Sequence, residues 1–325
     1  MTRRRPAVAI ALFAVALATA GCGIGPGAGV GQVSLTVTRD FGADRVVGPM
    51  RETASESDTA MRQLERNADI STRYGGRFVQ AIGGVTAATR AGGRYDWFFF
   101  VNGVESPVGA ADYALHGGDS VWWDYRNWSA AESVPAVVGS WPQPFRDGYE
   151  GRRHPVAVEC LGGGAACGEV RARLRSMGAR LVGGAPADAL RVLVGPWARV
   201  REDPTAAQIE TGPQESGVFA QFTSGRRAEK YAPAPVLGPS AGGDAYVLHG
   251  LDEGGESARA FGPGAGLVAA TRRYEALPVW LVTGTTQRGV AAAARLLDAA
   301  DLRDHYAVAV EGERVTSLPV PAGVR

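Results

Sequence analysis

The residues able to do covalent chemistry are few and far apart. Three cysteines occur in 325 residues: Cys22, Cys160 and Cys167. Cys22 closes the run Thr19-Ala20-Gly21-Cys22. Small side chains before a cysteine suit the narrow groove of a lipoprotein signal peptidase, and the thiol then carries a diacylglyceryl group. Thr19 departs from the aliphatic residue usual at its place. Upstream, Arg3, Arg4 and Arg5 form a positive start, and residues 7–20 carry no charge. That run suits a leader and is short for a transmembrane helix. A secreted chain with an incidental Cys22 is the plainer alternative. Cys160 and Cys167 bracket Leu-Gly-Gly-Gly-Ala-Ala, flexible enough to bring the sulfurs together. Outside the cytoplasm such a pair oxidises, so a disulfide is expected; free thiols or a metal site using His154 are the alternatives.

Other chemistry has weaker support. Gly238-Pro239-Ser240-Ala241-Gly242 has the letters of a nucleophile elbow, but prolines flank it where a strand and a helix are needed. Thr283-Gly284-Thr285-Thr286 between a strand and a helix offers N–H groups to an anion, and simple capping explains it equally. His116, His154, His249 and His305 have no partners at metal-ligand spacing. Asp252, Glu253 and Glu256 form an acidic knot without a recognisable acid–base pair. No catalytic residue and no metal ligand is assigned. A net charge of +1 gives no electrostatic reason to expect nucleic acid as a partner.

The elements that must position these residues read as α+β. Residues 1–21 are a leader and 22–31 a glycine-rich tether. Residues 32–128 form a first domain. The stretch Val33–Thr38 alternates with period two, as a half-buried strand does. Ser55 to Asp58 offers a capping box ahead of a helix carrying Met61, Leu64 and Ala68. Further strands follow at 78–82, at 97–101 into an Asn102-Gly103 turn, and at 120–128. One helix over one face of a mixed sheet is a β-grasp layout. Residues 129–153 hold Pro135, Pro142 and Pro144 with Trp141, Phe145 and Tyr149 between them. They are read as an ordered connector whose aromatics bind back to a domain. Residues 154–321 alternate strands and helices as a larger mixed α/β domain.

Three segments of the first domain resemble the transcobalamin-like C-terminal domain family. They are Trp97-Phe98-Phe99-Phe100-Val101-Asn102-Gly103, Gly109-Ala110-Ala111-Asp112-Tyr113, and Gly118-Asp119-Ser120-Val121-Trp122-Trp123-Asp124-Tyr125. The resemblance covers roughly 95 residues. It implies a small module that caps a ligand, with cobalamin as the specific version. No helical barrel that would complete a corrinoid pocket is recognisable.

Along residues 120–128, Val121, Trp123 and Tyr125 share one face, expected to be core. Trp122, Asp124, Arg126 and Trp128 share the other. Trp122 and Trp128 are open to two readings: stacking on a flat macrocycle or sugar, or packing on the connector. Asn102, Gly103 and Tyr113 complete the candidate ligand set, with a plain turn as the alternative for the first two. The expectation is a non-catalytic, extracytoplasmic lipoprotein that binds a small molecule and works with a membrane transport system. The rivals are a structural or protein-interaction lipoprotein and a hydrolase built on the second domain. Changing Cys22 to Ser is expected to move the protein from the membrane to the soluble fraction of its host. An unchanged distribution would refute anchoring at this residue.

Overall fold

The computed structural model describes residues 27–90, 93–162, 164–224 and 246–321. The segment expected to be a leader, Cys22 and the Gly238–Gly242 motif lie outside the described residues. Sheet predominates, with a few helices, in a mixed α+β protein.

The first half is built on β1 (Gly29–Arg39), β2 (Asp44–Ser55), α1 (Ala60–Asn67), β3 (Ile70–Arg73), β4 (Phe78–Ile82), β5 (Val85–Thr86), β6 (Ala88–Arg90), β7 (Gly93–Val101), β8 (Val104–Glu105) and β9 (Ser120–Asn127). One sheet runs β2-β1-β9-β7-β6, with β8 on β7. Its two central strands, β1 and β9, are parallel, while β2 and β7 flank them antiparallel. A small sheet, β3-β4-β5, stands apart from it. The glycine-rich stretch expected as a tether ends earlier than residue 31. Gly29 and Gly31 already pair with Ser55 and Ala54, because β2 supplies a ladder for them. The cap of α1 also differs from expectation. Thr59 accepts from the Arg62 N–H, while Asp58 turns back to take the Ser55 N–H and the Arg66 guanidinium.

The second half contains β10 (Val156–Cys160), α2 (Gly164–Ser176), β11 (Leu181–Val182), β12 (Leu190–Pro196), β13 (Ala220–Ser224), β14 (Tyr246–Leu251), β15 (Ser257–Ala260), β16 (Gly266–Thr271), β17 (Val279–Gly284), the helix Gln287–Arg295, β18 (Ala307–Glu311) and β19 (Arg314–Leu318). Seven strands order as β11-β10-β12-β17-β16-β18-β19. The strands β11, β10, β12 and β17 run parallel, and β16, β18 and β19 continue antiparallel. Strands β16 and β17 are buried along their whole length, which is why they read as continuous apolar runs. The helix Gln287–Arg295 ends before Ala299. A second short helix, capped by Asp298, starts there. In the connector, Trp141 and Phe145 pack on Trp280 of β17, with ring centroids 5.6 and 5.0 Å away.

The two halves share one core. Period-two alternation sends Trp122, Asp124 and Arg126 of β9 toward the second half. Phe41, Phe100 and Trp122 surround Tyr306, at centroid distances of 5.0, 5.6 and 5.4 Å. Asp124 is fully buried among them and its carboxylate is saturated with donors. Oδ1 accepts from the Thr38 hydroxyl at 2.5 Å and the Gly42 N–H at 3.1 Å; Oδ2 accepts from the Phe41 N–H at 3.1 Å and the Tyr306 hydroxyl at 2.9 Å. The Trp122 indole N–H in turn donates to Thr38 at 2.7 Å.

Burial outweighs these donors and pushes the Asp124 carboxyl from 3.8 up to about 6. A folded-state value above the unfolded one means the native protein holds the proton more tightly. This group's contribution to stability is therefore fullest below about pH 4 and is lost as pH rises through about 6. Thermal denaturation of the wild type and Asp124→Asn from pH 4 to 7 is expected to show this slope only in the wild type. Equal slopes would refute the assignment.

Candidate functional site

A groove opens on the face of the first sheet opposite the second half. Strand alternation places Trp97 and Phe99 of β7 beside Tyr125 and Trp123 of β9. Helix α1 has only eight residues and covers part of that face with Met61 and Leu64. The β3–β4 hairpin overlies another part. Between hairpin, sheet and the segment 105–110 a cavity of about 240 Å³ remains. Phe78, Trp97, Phe99, Trp123 and Met61 line it, and Glu105, Ser106 and Arg77 supply its polar margin. Phe99 and Trp123 stack with centroids 4.8 Å apart and planes 23° apart. Phe78 is 45% exposed at the rim, with its ring 6.3 Å from that of Tyr74, which is 79% exposed. The Trp97 ring is fixed by its N–H, which donates to the Val85 carbonyl at 2.8 Å.

The polar residues at the margin already have partners. Arg77 donates to both oxygens of Asp112 at 2.6 Å. Glu105 Oε2 accepts from the Ser133 hydroxyl of the connector, and Oε1 lies 3.8 Å from the fully buried Arg126 guanidinium. The Glu105 backbone carbonyl accepts from Arg272 of the second half at 3.3 Å. Burial pushes the Glu105 carboxyl up, against the opposing effects of Ser133 and Arg126. Arg126 itself donates to the carbonyls of Ala131 and Glu132 and lies 3.8 Å over the Phe98 ring.

The residues singled out from sequence do not converge on this groove. Trp122 is only 2% exposed, in the core between the halves; the second half covers it, so it offers no stacking surface. Trp128 is half-buried and the Arg94 guanidinium lies 3.7 Å over its ring. Asn102 is buried at φ +54° and acts as a clasp. Its amide donates to Asp119 Oδ1 and the Gly148 carbonyl, each at 2.9 Å, and accepts the Ser120 N–H at 2.8 Å. Gly103 follows at φ +78°, where an added Cβ would meet the Val137 carbonyl at 2.7 Å. Tyr113 is 5% exposed, and burial pushes its phenol well up. Its hydroxyl has no hydrogen-bond partner among the described residues. Asn102 and Gly103 thus tie the sheet to the connector, and Tyr113 packs in the core of the first half, all three away from the groove lining.

Cys160 and Cys167 form a disulfide with Cα atoms 5.7 Å apart, tying the end of β10 to α2. Thr286 caps the helix Gln287–Arg295, and Thr285 accepts the Gly264 N–H at 2.9 Å, so these hydroxyls serve the fold. His249 lies between the Thr223 and Ser257 hydroxyls, and burial lowers its pKa. Among the described residues no cluster of three His, Cys, Asp or Glu could hold a metal ion.

Residues 57–127, which span α1 to β9 and carry most of the groove, match the family described as a domain of unknown function, DUF4430. Among solved structures, one from Ruminococcus gnavus, described as a "putative metal binding protein", is similar at 14% identity. That match covers 30% of this chain and 97% of the other, with a TM-score of 0.22, too slight to carry an inference. No curated protein is significantly similar to the chain.

The groove aromatics were legible only in part. The alternation of Trp97-Phe98-Phe99-Phe100 places Trp97 and Phe99 on one face, but an apolar face ordinarily means core. Only the shortness of α1 hinted that part of it stays uncovered. Replacing Asn102 with Ala is expected to destabilise the protein by about 2–4 kcal/mol, because it strands the buried Asp119 and the Gly148 carbonyl. A loss below about 0.5 kcal/mol in chemical denaturation would refute the clasp.

Proposed function

We propose that this chain is a lipid-anchored extracytoplasmic protein, without catalytic function, that captures a small molecule in its first domain and serves a membrane transport system. The reading is carried by the groove with the Phe99–Trp123 stack inside it. Aromatic walls with a few polar groups at the margin are the usual make-up of a small-molecule site. The leader and Cys22 support the location, as does the Cys160–Cys167 disulfide, which suits an oxidising compartment.

The first sheet supports a β-grasp reading, with the β1–β2 hairpin, β9 parallel to β1, and α1 following β2. This agrees with the resemblance to the transcobalamin-like family, and it makes cobalamin the first compound to try. A cavity of about 240 Å³ is smaller than the roughly 300–1,000 Å³ of sites that enclose a drug-sized ligand. A corrinoid would therefore place one edge in the groove and leave the rest of the macrocycle outside.

Titration of the purified protein with cobalamin, followed by tryptophan emission and corrin absorbance, tests this version. Saturable quenching in the wild type, weakened about tenfold or more in Trp123→Ala, is the expected result. No change in either signal removes corrinoids as the ligand.

A further inference from the structure

We infer that a surface of arginines beside the entry of β1, with Tyr274 projecting from it, lies on the anionic headgroups of the membrane that holds the lipid anchor. The inference rests on the reading of Cys22 as that anchor and adds the face that the protein turns to the bilayer.

The place where the chain enters the fold is the first observation. The Gln32 carbonyl accepts the Gly118 N–H at 2.8 Å. Gly118 lies against the connector, where an added Cβ would come within 2.5 Å of the Asp147 Cβ. Gly151 lies against the His116 ring in the same way. The segment 146–153 therefore borders the entry of β1. Only five residue steps separate Cys22 from Gly27, and such a stretch spans at most about 18 Å. A lipid on Cys22 thus keeps Gly27 within that reach of the bilayer.

Charge is the second. Three of the 34 basic residues, Arg3, Arg4 and Arg5, belong to the expected leader, so the processed chain carries 31 against 33 carboxylates. Its excess is negative, yet this side is positive. Strands β10, β12 and β17 start here next to one another. The Val156 N–H donates to the Arg180 carbonyl at 2.9 Å, and the loop 272–278 leads into β17. Arg152, Arg153, Arg175, Arg180 and Arg273 are all exposed on these segments. Among the described residues none of the five is paired with a carboxylate. The exposed acids between them are Glu150, Asp188 and Glu275. Arg146 and Asp147 pair with each other at 2.8 Å and add no net charge. Beside Gly27, Glu56 is offset by Arg62, which donates to the nearby Ser57 carbonyl. The guanidinium fork matches phosphate oxygens, and attraction to an anionic bilayer accumulates over each arginine close to it.

Tyr274 is the third. It sits in the loop between β16 and β17, 81% exposed and at φ +54°. That region of backbone is costly for a bulky side chain. The ring contributes nothing to a core, and the contact it makes is with the Arg273 guanidinium, 5.2 Å from its centroid. An aromatic body with a polar tip suits the boundary between headgroups and acyl chains. Arginine and tyrosine side by side match the two layers of that boundary.

The anchored protein, as its host produces it, is reconstituted into vesicles to test this. Tyr274→Cys supplies one free thiol for a fluorophore, because Cys160 and Cys167 are bonded to each other and Cys22 carries the lipid on this reading. Vesicles of phosphatidylcholine alone are compared with vesicles that also contain phosphatidylglycerol, each with a nitroxide quencher on the headgroups. The expected result is quenching about threefold or more stronger on the anionic vesicles, falling to the neutral level in high salt. Adding Arg152→Ser, Arg153→Ser and Arg180→Ser together should lower it likewise. A label on Glu313→Cys, in the β18–β19 turn, should be quenched on neither vesicle. Val310 near that turn pairs with Gly266, which pairs with Gly284 at the opposite end of β17. Equal quenching at position 274 on both vesicles, or equal quenching at 274 and 313, overturns the inference and leaves the anchor standing. If mass spectrometry finds Cys22 unlipidated, the anchor fails, and co-sedimentation of the unlabelled protein with the same vesicles decides the surface separately. Pelleting with the anionic vesicles alone upholds it; no pelleting, or equal pelleting with both, overturns it. The salt and lipid comparisons decide the matter even if the triple arginine variant fails to fold.

Discussion

The carboxylate of Asp124 is the point on which the architecture depends. A buried charge is tolerated only where donors replace its lost water. Four donors do so, from Thr38, Phe41, Gly42 and Tyr306. Three belong to the first half and one to the second, so satisfying this charge requires the halves to dock in one register. Removing the Tyr306 hydroxyl would leave a buried oxygen short of a partner, at a cost of about 1–3 kcal/mol. The rings of Phe41, Phe100 and Trp122 exclude water around that contact. The apolar rings supply most of the burial, and the carboxylate fixes the orientation.

Strand β9 divides the labour between its two faces. One face, with Trp122, Asp124 and Arg126, is spent on joining the halves. The other, with Val121, Trp123 and Tyr125, packs beneath α1 and the β3–β4 hairpin. Because α1 is short, the second face is covered incompletely, and the groove lies in the gap. Docking of the second half therefore stiffens the back of the sheet whose front carries the site. Glu105 links the two sides directly. Its carboxylate is held by Ser133 and faces Arg126, and its carbonyl is held by Arg272.

The connector has a structural part in this. Trp141 and Phe145 are sealed against Trp280. The Gly148 carbonyl receives Asn102, while Val137 donates to the Gly103 carbonyl at 2.8 Å. The segment is a strap across both halves, which explains why an apparent hairpin turn contains a buried asparagine. Asn102 tolerates its positive φ and meets three partners that an exposed turn residue would leave to water.

Sequence by itself determined the periodic elements: β1, β7, β9, α1 and the buried run of β17 are written in spacing that one strand or helix can satisfy alone. It also placed Cys160 and Cys167 close enough to pair, since a short glycine-rich loop makes their meeting a local event. Strand β2 carries no clear period-two signal, because its residues are mostly exposed and alternate weakly. Which face of β9 would meet solvent was a tertiary decision. Alternation says that Trp122 and Trp123 point opposite ways, but not what waits on either side. Tyr306, 182 residues from Asp124, turned the polar-looking face into core, and the brevity of α1 left the apolar-looking face partly open. Contacts between residues so distant are set by how two finished surfaces fit, and no local pattern encodes that fit.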